Sequence, residues 1–332
     1  MFRLYKGGSM PPINFRERGQ LLNQESKGMR MYTKKSWSAV ALFLIVVMVN
    51  SQALAWAQAT HAYIGYKLGN QVFDRQQAIY GAMAPDCFNY LFALPQQSAL
   101  YDRTHHYSLS LYNQAKGTSL KALALGFVSH DDFIGADRTA HHNGRTYGQE
   151  VGYVIAKASD LLTAKPDLLA LVPEDTALDL CHNFVETAVD VLMKRLDPRI
   201  GKRVSNAARL RDPGFPDLLW QTYGSVFSGL GVSQEVVTAA EEGFRTSLIA
   251  YGQALQLPEE QALAGLASQM ADLAAGYLAS KGITLPLTKE QITGIIIAYL
   301  VEAMALCQDD FAKEIAKTIH FVRYELKFRG VK

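Results

Sequence analysis

The chain has 332 residues, of which 49% are hydrophobic and 19% charged, a composition that fits a folded globular protein and excludes a disordered one. Its net charge of +2 is unevenly distributed, because residues 1–55 carry eight Lys/Arg and two Asp/Glu, whereas residues 56–332 carry 25 and 29. The net charge of −4 after residue 55 disfavours duplex nucleic acid as a partner, since such proteins usually present a basic surface.

Residues 1–55 are predicted to be a leader with a secretory signal peptide. Ala39–Val49 follows two lysines, is apolar and is too short to span a bilayer, and Ala53–Ala55 supplies a small-residue cleavage site. We therefore expect cleavage before Trp56 and export to the periplasm or the extracellular space; an uncleaved anchor is the alternative. Residues 1–28 do not resemble a signal and fit a start codon placed too early.

Residues 56–332 are predicted to be all-α, because apolar residues recur at helical spacing with little alternation. The expected helices are Ala57–Gln71, Arg75–Met83, Leu120–Ile134, Gly148–Leu162, Pro173–Leu196, Ser233–Gln256, Pro258–Ser280, Lys289–Ala305 and Asp309–Phe328. Ile292–Leu306 is very apolar but is interrupted by Glu302, which favours a buried core helix over a membrane span. The helices of 200–332 either complete the domain or form an extension of it.

The histidines are concentrated in one part of the chain. Seven of the eight fall between residues 61 and 182, and only one lies in the last 150 residues. They are His61, His105, His106, His130, His141, His142, His182 and His320. Histidines scattered through a core would not cluster in this way, so the pattern indicates a site. His320 is interpreted as a packed or surface residue.

Two helical spacings point to metal ligands. His182 and Glu186 are four residues apart on a predicted helix, which places an imidazole and a carboxylate on one face. His130, Asp137 and His141 would also share one face if the helix that contains His130 continued through them. Gly135 is an alternative end for that helix, in which case these polar residues cap it.

Three further features are weaker by themselves. Cleavage before Trp56 would create a free α-amine five residues ahead of His61, and a deprotonated amine is a nitrogen ligand. Asp86 follows a proline at a predicted helix end, and His105–His106 comes shortly after it. Taken singly, these residues are better explained by an aromatic core residue and by a helix end with a polar loop.

In this order, the features resemble the zinc-dependent phospholipase C family, whose superfamily includes single-strand-specific nucleases. The resemblance covers roughly residues 56–190 and implies an all-α, multi-helix fold with a cleft for a cluster of three Zn²⁺ ions. By position, one ion takes Asp86, His106 and His130. A second takes His141 or His142 with His182 and Glu186. The third takes the amine and carbonyl of Trp56 with His61, and Asp137 bridges the first and third ions.

The sequence departs from the family pattern around the bridging residue. Asp137 lies seven residues after His130, whereas the family commonly has four, and Asp131 and Asp132 are rival carboxylates. We favour His141 over His142 on helical geometry. We favour His106 over His105 because the family pattern has an aromatic residue after the ligand.

The resemblance implies a zinc-dependent phosphodiester hydrolase, most simply a phospholipase C that releases a phosphorylated head group by attack of a zinc-bound hydroxide. Asp137 as the bridge and Asp86 as an auxiliary base are the expected catalytic residues. The expected partners are a phospholipid or other phosphodiester and a transient membrane contact; the sequence indicates no protein partner. The alternatives are a single-strand nuclease or 3′-nucleotidase and a non-catalytic metal-binding protein.

The three cysteines, Cys87, Cys181 and Cys307, allow at most one disulfide. Cys87 and Cys181 each adjoin an expected site residue, so they are the pair to consider if the exported chain forms one. Three buried thiols are the alternative.

Overall fold

The computed structural model describes residues 56–69, 74–89, 91, 94–146, 150–166, 169, 174–280 and 288–332. Within these ranges the chain is helical and contains no β-strand, which confirms the predicted all-α class. The predicted leader and signal peptide, residues 1–55, lie outside the described residues.

The described part of the chain is a succession of α-helices with two short irregular ones. The α-helices are α1 Gln58–Leu68, α2 Arg75–Met83, α3 Gln97–His106, α4 Ser108–Ala115, α5 Lys121–His130, α6 Tyr153–Ala164, α7 Glu174–Leu196, α8 Ile200–Arg209, α9 Phe215–Gly229, α10 Gln234–Gln256, α11 Glu259–Ser280, α12 Lys289–Cys307 and α13 Phe311–Phe328. A 3₁₀-helix, Ala84–Phe88, follows α2, and a π-helical turn, Arg138–His142, precedes α6.

Most predicted helices are present, with ends displaced by a few residues. The prediction Leu120–Ile134 is wrong at its C-terminal end, because α5 stops at His130. The prediction Gly148–Leu162 is wrong at its start, since α6 begins at Tyr153. Helices α3, α4, α8 and α9 had not been expected as separate elements.

A close crossing of α2 and α5 forms the centre of the fold. A Cβ on Gly81 would stand 1.9 Å from the Leu123 carbonyl oxygen, and one on Gly126 would stand 2.0 Å from the Ala78 carbonyl oxygen. The two backbones therefore touch where only glycine fits. This crossing fixes the C-terminal end of α5, which carries His130, against the end of α2.

The C-terminal helices share the core of the preceding ones. Buried apolar side chains from Trp56 to Val331 form one cluster among the described residues. Polar contacts add to it, since the Tyr80 hydroxyl on α2 donates to Glu241 Oε1 on α10 at 2.5 Å. Arg211 donates to the other Glu241 oxygen at 2.8 Å, so this buried carboxylate is paired.

Among the described residues, one helix is long and apolar enough to cross a membrane, and it is α12. Its buried side chains recur every three or four residues: Ile292, Ile296, Leu300, Ala303 and Cys307. It packs by this stripe on α6, α7 and α11, while Val301 on the opposite side is exposed. Helix α12 thus packs one face against the domain.

Candidate metal centre

His130 ends α5 with its ring fully buried. Its Nδ1 lies 2.8 Å from the Ala82 carbonyl oxygen. Because a carbonyl oxygen only accepts, Nδ1 must be the protonated donor, and Nε2 faces the interior of the site. His105 repeats this arrangement, with Nδ1 3.1 Å from the Tyr101 carbonyl oxygen. The backbone thereby orients both rings with Nε2 as the available ligand atom, as outer hydrogen bonds do for metal-binding histidines.

Asp137 reaches His130 through a turn that reverses the chain after α5. Asp131 Oδ1 accepts from the backbone N–H groups two and three residues ahead, at 2.8 and 3.1 Å, which starts a new turn. A Cβ on Gly135 would stand only 2.5 Å from the His130 carbonyl oxygen, so this tight turn requires glycine. Asp137 Oδ2 then lies 3.0 Å from His130 Nε2. The predicted juxtaposition of the two residues is present, but the continuous helix expected to produce it is not.

His61 approaches the same carboxylate from α1. Its ring stacks on that of His130 with centroids 3.8 Å apart, and its Nε2 lies 3.2 Å from Asp137 Oδ1. All three side chains are fully buried. The two carboxylate oxygens of Asp137 therefore face different histidines, which is the arrangement that a bridging ligand requires.

The start of α1 is fixed by a buried carboxylate on α7, Asp190. The backbone N–H groups of Ala59 and Thr60 donate to it at 2.5 and 2.8 Å, and the Tyr251 hydroxyl donates at 2.7 Å. Burial raises the pKa of Asp190 to about 6, although these donors act in the opposite direction. This network positions the first turn of α1 and therefore His61.

Asp86 lies in the 3₁₀-helix and joins the same cluster. The side-chain amides of Gln58 and Asn89 donate to its two oxygens, each at 2.6 Å. Its Oδ1 is also 3.3 Å from His105 Nε2 and 3.6 Å from His130 Nε2. The candidate ligand atoms of Asp86, His105 and His130 lie within 4.8 Å of one another.

A second group of candidate ligands forms on α7 and the π-helical turn. His182 Nε2 lies 2.7 Å from Glu186 Oε1, and the His182 and His141 rings are 5.0 Å apart. The candidate ligand atoms of these three residues also lie within 4.8 Å of one another. Burial, followed by the charges of Asp86 and Asp137, raises the pKa of Glu186 well above its usual value. The carboxylates of the first group therefore disfavour the ionised form of Glu186.

Several buried polar atoms of the two groups lack a hydrogen-bond partner. They are both ring nitrogens of His61, Nε2 of His130, both carboxylate oxygens of Asp137 and Oε2 of Glu186. Some of these atoms are only 3.0–3.2 Å apart but do not have hydrogen-bond angles. Buried polar groups are rarely left in this state. Nitrogen and carboxylate ligands that converge without bonding one another fit a cation between them, and this donor set suits zinc.

The charges of the metal-free site are coupled. Burial opposes ionisation of Asp137, but the charges of His130 and His61 outweigh burial and hold its pKa far below its usual value. Burial would lower the pKa of His130, yet Asp137 and Asp86 raise it to about 9. Burial and the neighbouring His130 charge lower the pKa of His61. Protonated His130 thus neutralises part of the acidic charge that a cation would otherwise balance.

In each of the two His–His pairs, the first histidine faces the candidate ligands. His105, and not the favoured His106, lies beside Asp86 and His130, because α3 turns His105 inward with its buried face. His106 instead lies between two carboxylates, 2.8 Å from Asp102 and 3.1 Å from Asp132, with a side chain 27% exposed.

The pair His141–His142 behaves in the same way. His141, the residue favoured by helical geometry, is grouped with His182 and Glu186. His142 is grouped with Asp132 and His141 instead, and its side chain is 54% exposed, with Nε2 3.6 Å from Asp132 Oδ1. Asp132 thus contacts His106, His141 and His142 outside the Asp137 cluster. The other rival carboxylate, Asp131, accepts hydrogen bonds from the backbone of the turn after α5.

Trp56 is fully buried beside Asp137. Its indole Nε1 donates to the Ala136 carbonyl oxygen at 3.1 Å, and its ring stacks on Tyr153. This contact holds the residue next to the backbone of the bridging candidate. Ligation by its amine and carbonyl stays a prediction.

The remaining residues highlighted in the sequence have other roles. Cys87, Cys181 and Cys307 are all described, and each is a buried free thiol. His320 is exposed on α13. The polar residues that hydrogen-bond to Asp86 or to the start of α1 had not been identified from the sequence; they are Gln58, Asn89 and Asp190. Asp190 was detectable, because it follows Glu186 at the same four-residue spacing that separates Glu186 from His182.

No family model, curated protein or solved structure matches the chain. The interpretation of the site therefore depends on its own geometry and chemistry.

Proposed function

We propose that this chain is a zinc-dependent phosphodiester hydrolase, and that its reaction is that of a phospholipase C. The observation that supports the proposal most strongly is the convergence of largely buried His, Asp and Glu side chains in adjoining groups, in which six buried polar atoms of His61, His130, Asp137 and Glu186 have no hydrogen-bond partner. A purely structural polar cluster would be expected to satisfy these atoms internally.

The residues divide among three zinc ions as follows in our proposal. Asp86, His105 and His130 hold the first ion, and His141, His182 and Glu186 hold the second. His61 holds the third with the amine and carbonyl of Trp56, once the chain begins at that residue. Asp137 connects the first and third ions, since its two oxygens face His130 and His61. His105 replaces the His106 of our sequence-based assignment.

When bound, zinc supplies Lewis acidity, which neutralises phosphate charge and lowers the pKa of a water from 15.7 to about 7. The protein residues contribute orientation and proton transfer. Gln58 and Asn89 fix both oxygens of Asp86. Burial opposes ionisation of Asp86, but His130 and His105 outweigh burial and lower its pKa. Asp86 therefore remains ionised, as a metal ligand must be, and in our proposal it also serves as the auxiliary base for the attacking water.

We favour a phospholipid over a nucleic acid for two reasons. The net charge of −4 over residues 56–332 disfavours a polyanionic strand. An exposed apolar ring also lies near the proposed ligands in the chain, because Phe133 is more than half exposed and 4.8 Å from the ring of His106, the neighbour of His105. Exposed apolar surface beside a phosphodiester site suits a substrate that carries acyl chains.

The proposal is tested with the chain that starts at Trp56, loaded with zinc. Phosphatidylcholine vesicles and single-stranded DNA are offered in parallel, with and without chelator, and the readouts are water-soluble phosphorylated head group and acid-soluble nucleotide. We expect chelator-sensitive release of the head group. Nucleotide release with intact lipid would instead assign the protein to the nuclease alternative. Full zinc occupancy with neither product would contradict hydrolysis of either substrate class and favour a non-catalytic metal-binding protein.

Two variants make this test specific to the site. Asp137→Asn removes one charge from the proposed bridge and should abolish head-group release. Asp102→Asn changes a half-exposed carboxylate that contacts His106 and no proposed ligand, and it should retain activity. Equal loss in both variants would indicate a general effect of charge or folding.

A further inference from the structure

Helix α13 presents a basic face with aromatic residues at its C-terminal end. The face consists of Lys313, Lys317, His320, Tyr324, Lys327 and Phe328. These positions follow one another at steps of three or four residues, so they lie along one side of the helix, with Phe328 beside Lys327. The opposite side is buried in the core through Ile315, Thr318, Val322 and Leu326. The basic face is therefore the outer surface of a helix that is firmly packed.

The two aromatic rings of the basic face are unusually exposed. Tyr324 is 62% exposed and Phe328 is 74% exposed, the highest values among the large apolar residues of the described chain. Their rings stack on each other with centroids 6.4 Å apart and planes 11° apart. Together they form a small apolar projection from the protein. Aromatic residues with this exposure mark a site of contact with another surface.

The charge of this segment is opposite to that of the rest of the mature chain. Residues 311–332 carry six Lys/Arg and two Glu, a net charge of +4, whereas residues 56–310 carry a net charge of −8. Glu314 is buried and accepts from the backbone of Arg145, and Glu325 lies 3.5 Å from Arg329. Neither acid belongs to the basic face. The positive charge on the outer side of α13 is therefore not balanced by carboxylates on the same face.

The N-terminal half of the basic face lies next to the turn that carries His141. The Thr318 hydroxyl is 2.8 Å from that of Thr139, and Lys317 Nζ donates to the Arg145 carbonyl oxygen at 2.7 Å. A cleft of about 580 Å³ between these segments is lined by Arg145, Lys313, Lys317 and His320. This cleft is large enough for a phosphate group and has the cationic side chains to contact one.

We propose that the basic face of α13 docks the protein on anionic phospholipid surfaces. Lysines alongside exposed aromatic rings are the composition of a helix that lies in the interface of a membrane. Each Lys or Arg near an anionic leaflet adds about fivefold in affinity, and the aromatic rings insert at the head-group level. This docking extends the proposed function. A role for the basic face in delivering substrate to the metal centre rests on that function.

A lipid surface fits this face better than a single nucleic acid strand. A strand is bound in a groove, with bases stacked on aromatic rings that are free to receive them. Tyr324 and Phe328 do not line the cleft beside Lys313 and His320, so the exposed rings and this groove do not form one binding site for a strand. The basic face is also the convex side of a helix. Both properties suit contact with a flat, anionic surface.

Vesicle binding tests the proposal without any need for turnover. The chain from Trp56 is sedimented with vesicles of phosphatidylcholine alone or with 30 mol% phosphatidylglycerol, at low and at high salt. We expect binding that requires the anionic lipid and weakens with salt. Equal binding to both vesicle types would contradict the proposal. A loss of head-group release with retained binding would count against the proposed reaction and not against docking.

Two double variants locate the interaction, and two matched variants control for charge and surface apolarity. Lys313→Glu/Lys327→Glu should weaken binding by more than about tenfold, and Tyr324→Ala/Phe328→Ala should weaken it measurably. Lys121→Glu/Lys202→Glu and Leu210→Ala/Val301→Ala change exposed residues outside α13 and should bind like the unmodified chain. Circular dichroism verifies the fold of each. Unchanged binding in the α13 variants would overturn the proposal, as would single-stranded DNA that binds more tightly through the same residues.

Discussion

Asp137 lies 3.0 Å from His130, both side chains are fully buried, and the geometry between Nε2 and Oδ2 is not that of a hydrogen bond. The ring of His130 is fixed from the other side by the Ala82 carbonyl oxygen. The histidine therefore cannot turn to improve the contact. In our proposal these two groups share a cation, which the neighbouring carboxylate and imidazoles would also bind.

Replacement of Asp137 by asparagine should remove zinc and activity together. Asparagine keeps the size of the side chain but loses the charge and one of the two oxygens that face His61 and His130. Changes in groups that only support metal ligands typically cost 10–100-fold in affinity or activity, so we expect at least about a 100-fold loss of kcat/KM. Zinc content and hydrolysis are measured on the same preparation. Full zinc and full rate in this variant would disprove the bridging role.

The neighbouring pair His105 and His106 should respond very differently to alanine. His105 is buried beside Asp86, whereas His106 is part of a partly exposed contact with Asp102 and Asp132. We expect His105→Ala to lower zinc affinity at least about 100-fold and His106→Ala to lower it less than about tenfold. Competition with a chromophoric chelator gives both values. The reverse order would restore His106 as the ligand.

Zinc affinity should rise with pH across the neutral range. In the metal-free protein the pKa of His130 is raised to about 9, so below that pH a proton must leave before the ring can bind a metal. One displaced proton corresponds to about a tenfold gain in apparent affinity per pH unit between pH 6 and 8. Chelator competition over this range measures the slope, and His320→Ala, on the exposed side of α13, should leave it unchanged. A zinc affinity that does not change between pH 6 and 8 would show that zinc displaces no proton from His130, and it would exclude His130 as a ligand.

The crossing of α2 and α5 should tolerate no side chain at Gly126. A Cβ there would stand 2.0 Å from the Ala78 carbonyl oxygen, so Gly126→Ala forces the two backbones apart. Overpacking of this kind costs about 2–3 kcal/mol of the free energy of unfolding. Gly243→Ala is the control, since a Cβ in that exposed helical position meets no atom within 4 Å and should stabilise by about 0.5–1 kcal/mol. Urea unfolding measures both, and similar effects would contradict the close crossing.

Helical periodicity predicted the class of the fold and most long helices, because apolar stripes such as that of α12 are visible in the sequence. It could not predict where α5 ends. The residues after His130 remain compatible with a helix, and only Gly135 and the turn-forming side chain of Asp131 mark the reversal. The short helices α3 and α4 were missed because few apolar positions define a period in ten residues or fewer.

The site was predicted in its composition and less well in its detail. The ordered set of His, Asp and Glu residues contained most of the side chains that converge, but it favoured His106, which does not join them. The choice between His105 and His106 depends on which side of α3 is buried, and the sequence signal for this is the buried series Leu100, Tyr101, Thr104 and His105. The contact of Asp190 with the start of α1 follows from the packing of distant segments, and the four-residue spacing from Glu186 indicates only the helix face on which Asp190 lies.

The most direct test of the metal centre is the zinc content of the chain that begins at Trp56. The protein is stripped with chelator, reloaded, dialysed and measured by mass spectrometry for zinc per chain, beside the same chain with one alanine added before Trp56. We expect three zinc ions in the first protein and a loss of the third ion in the extended one, because its terminal amine is displaced. Absence of tightly bound zinc from both would contradict the central claim that the converging His, Asp and Glu residues form a metal centre.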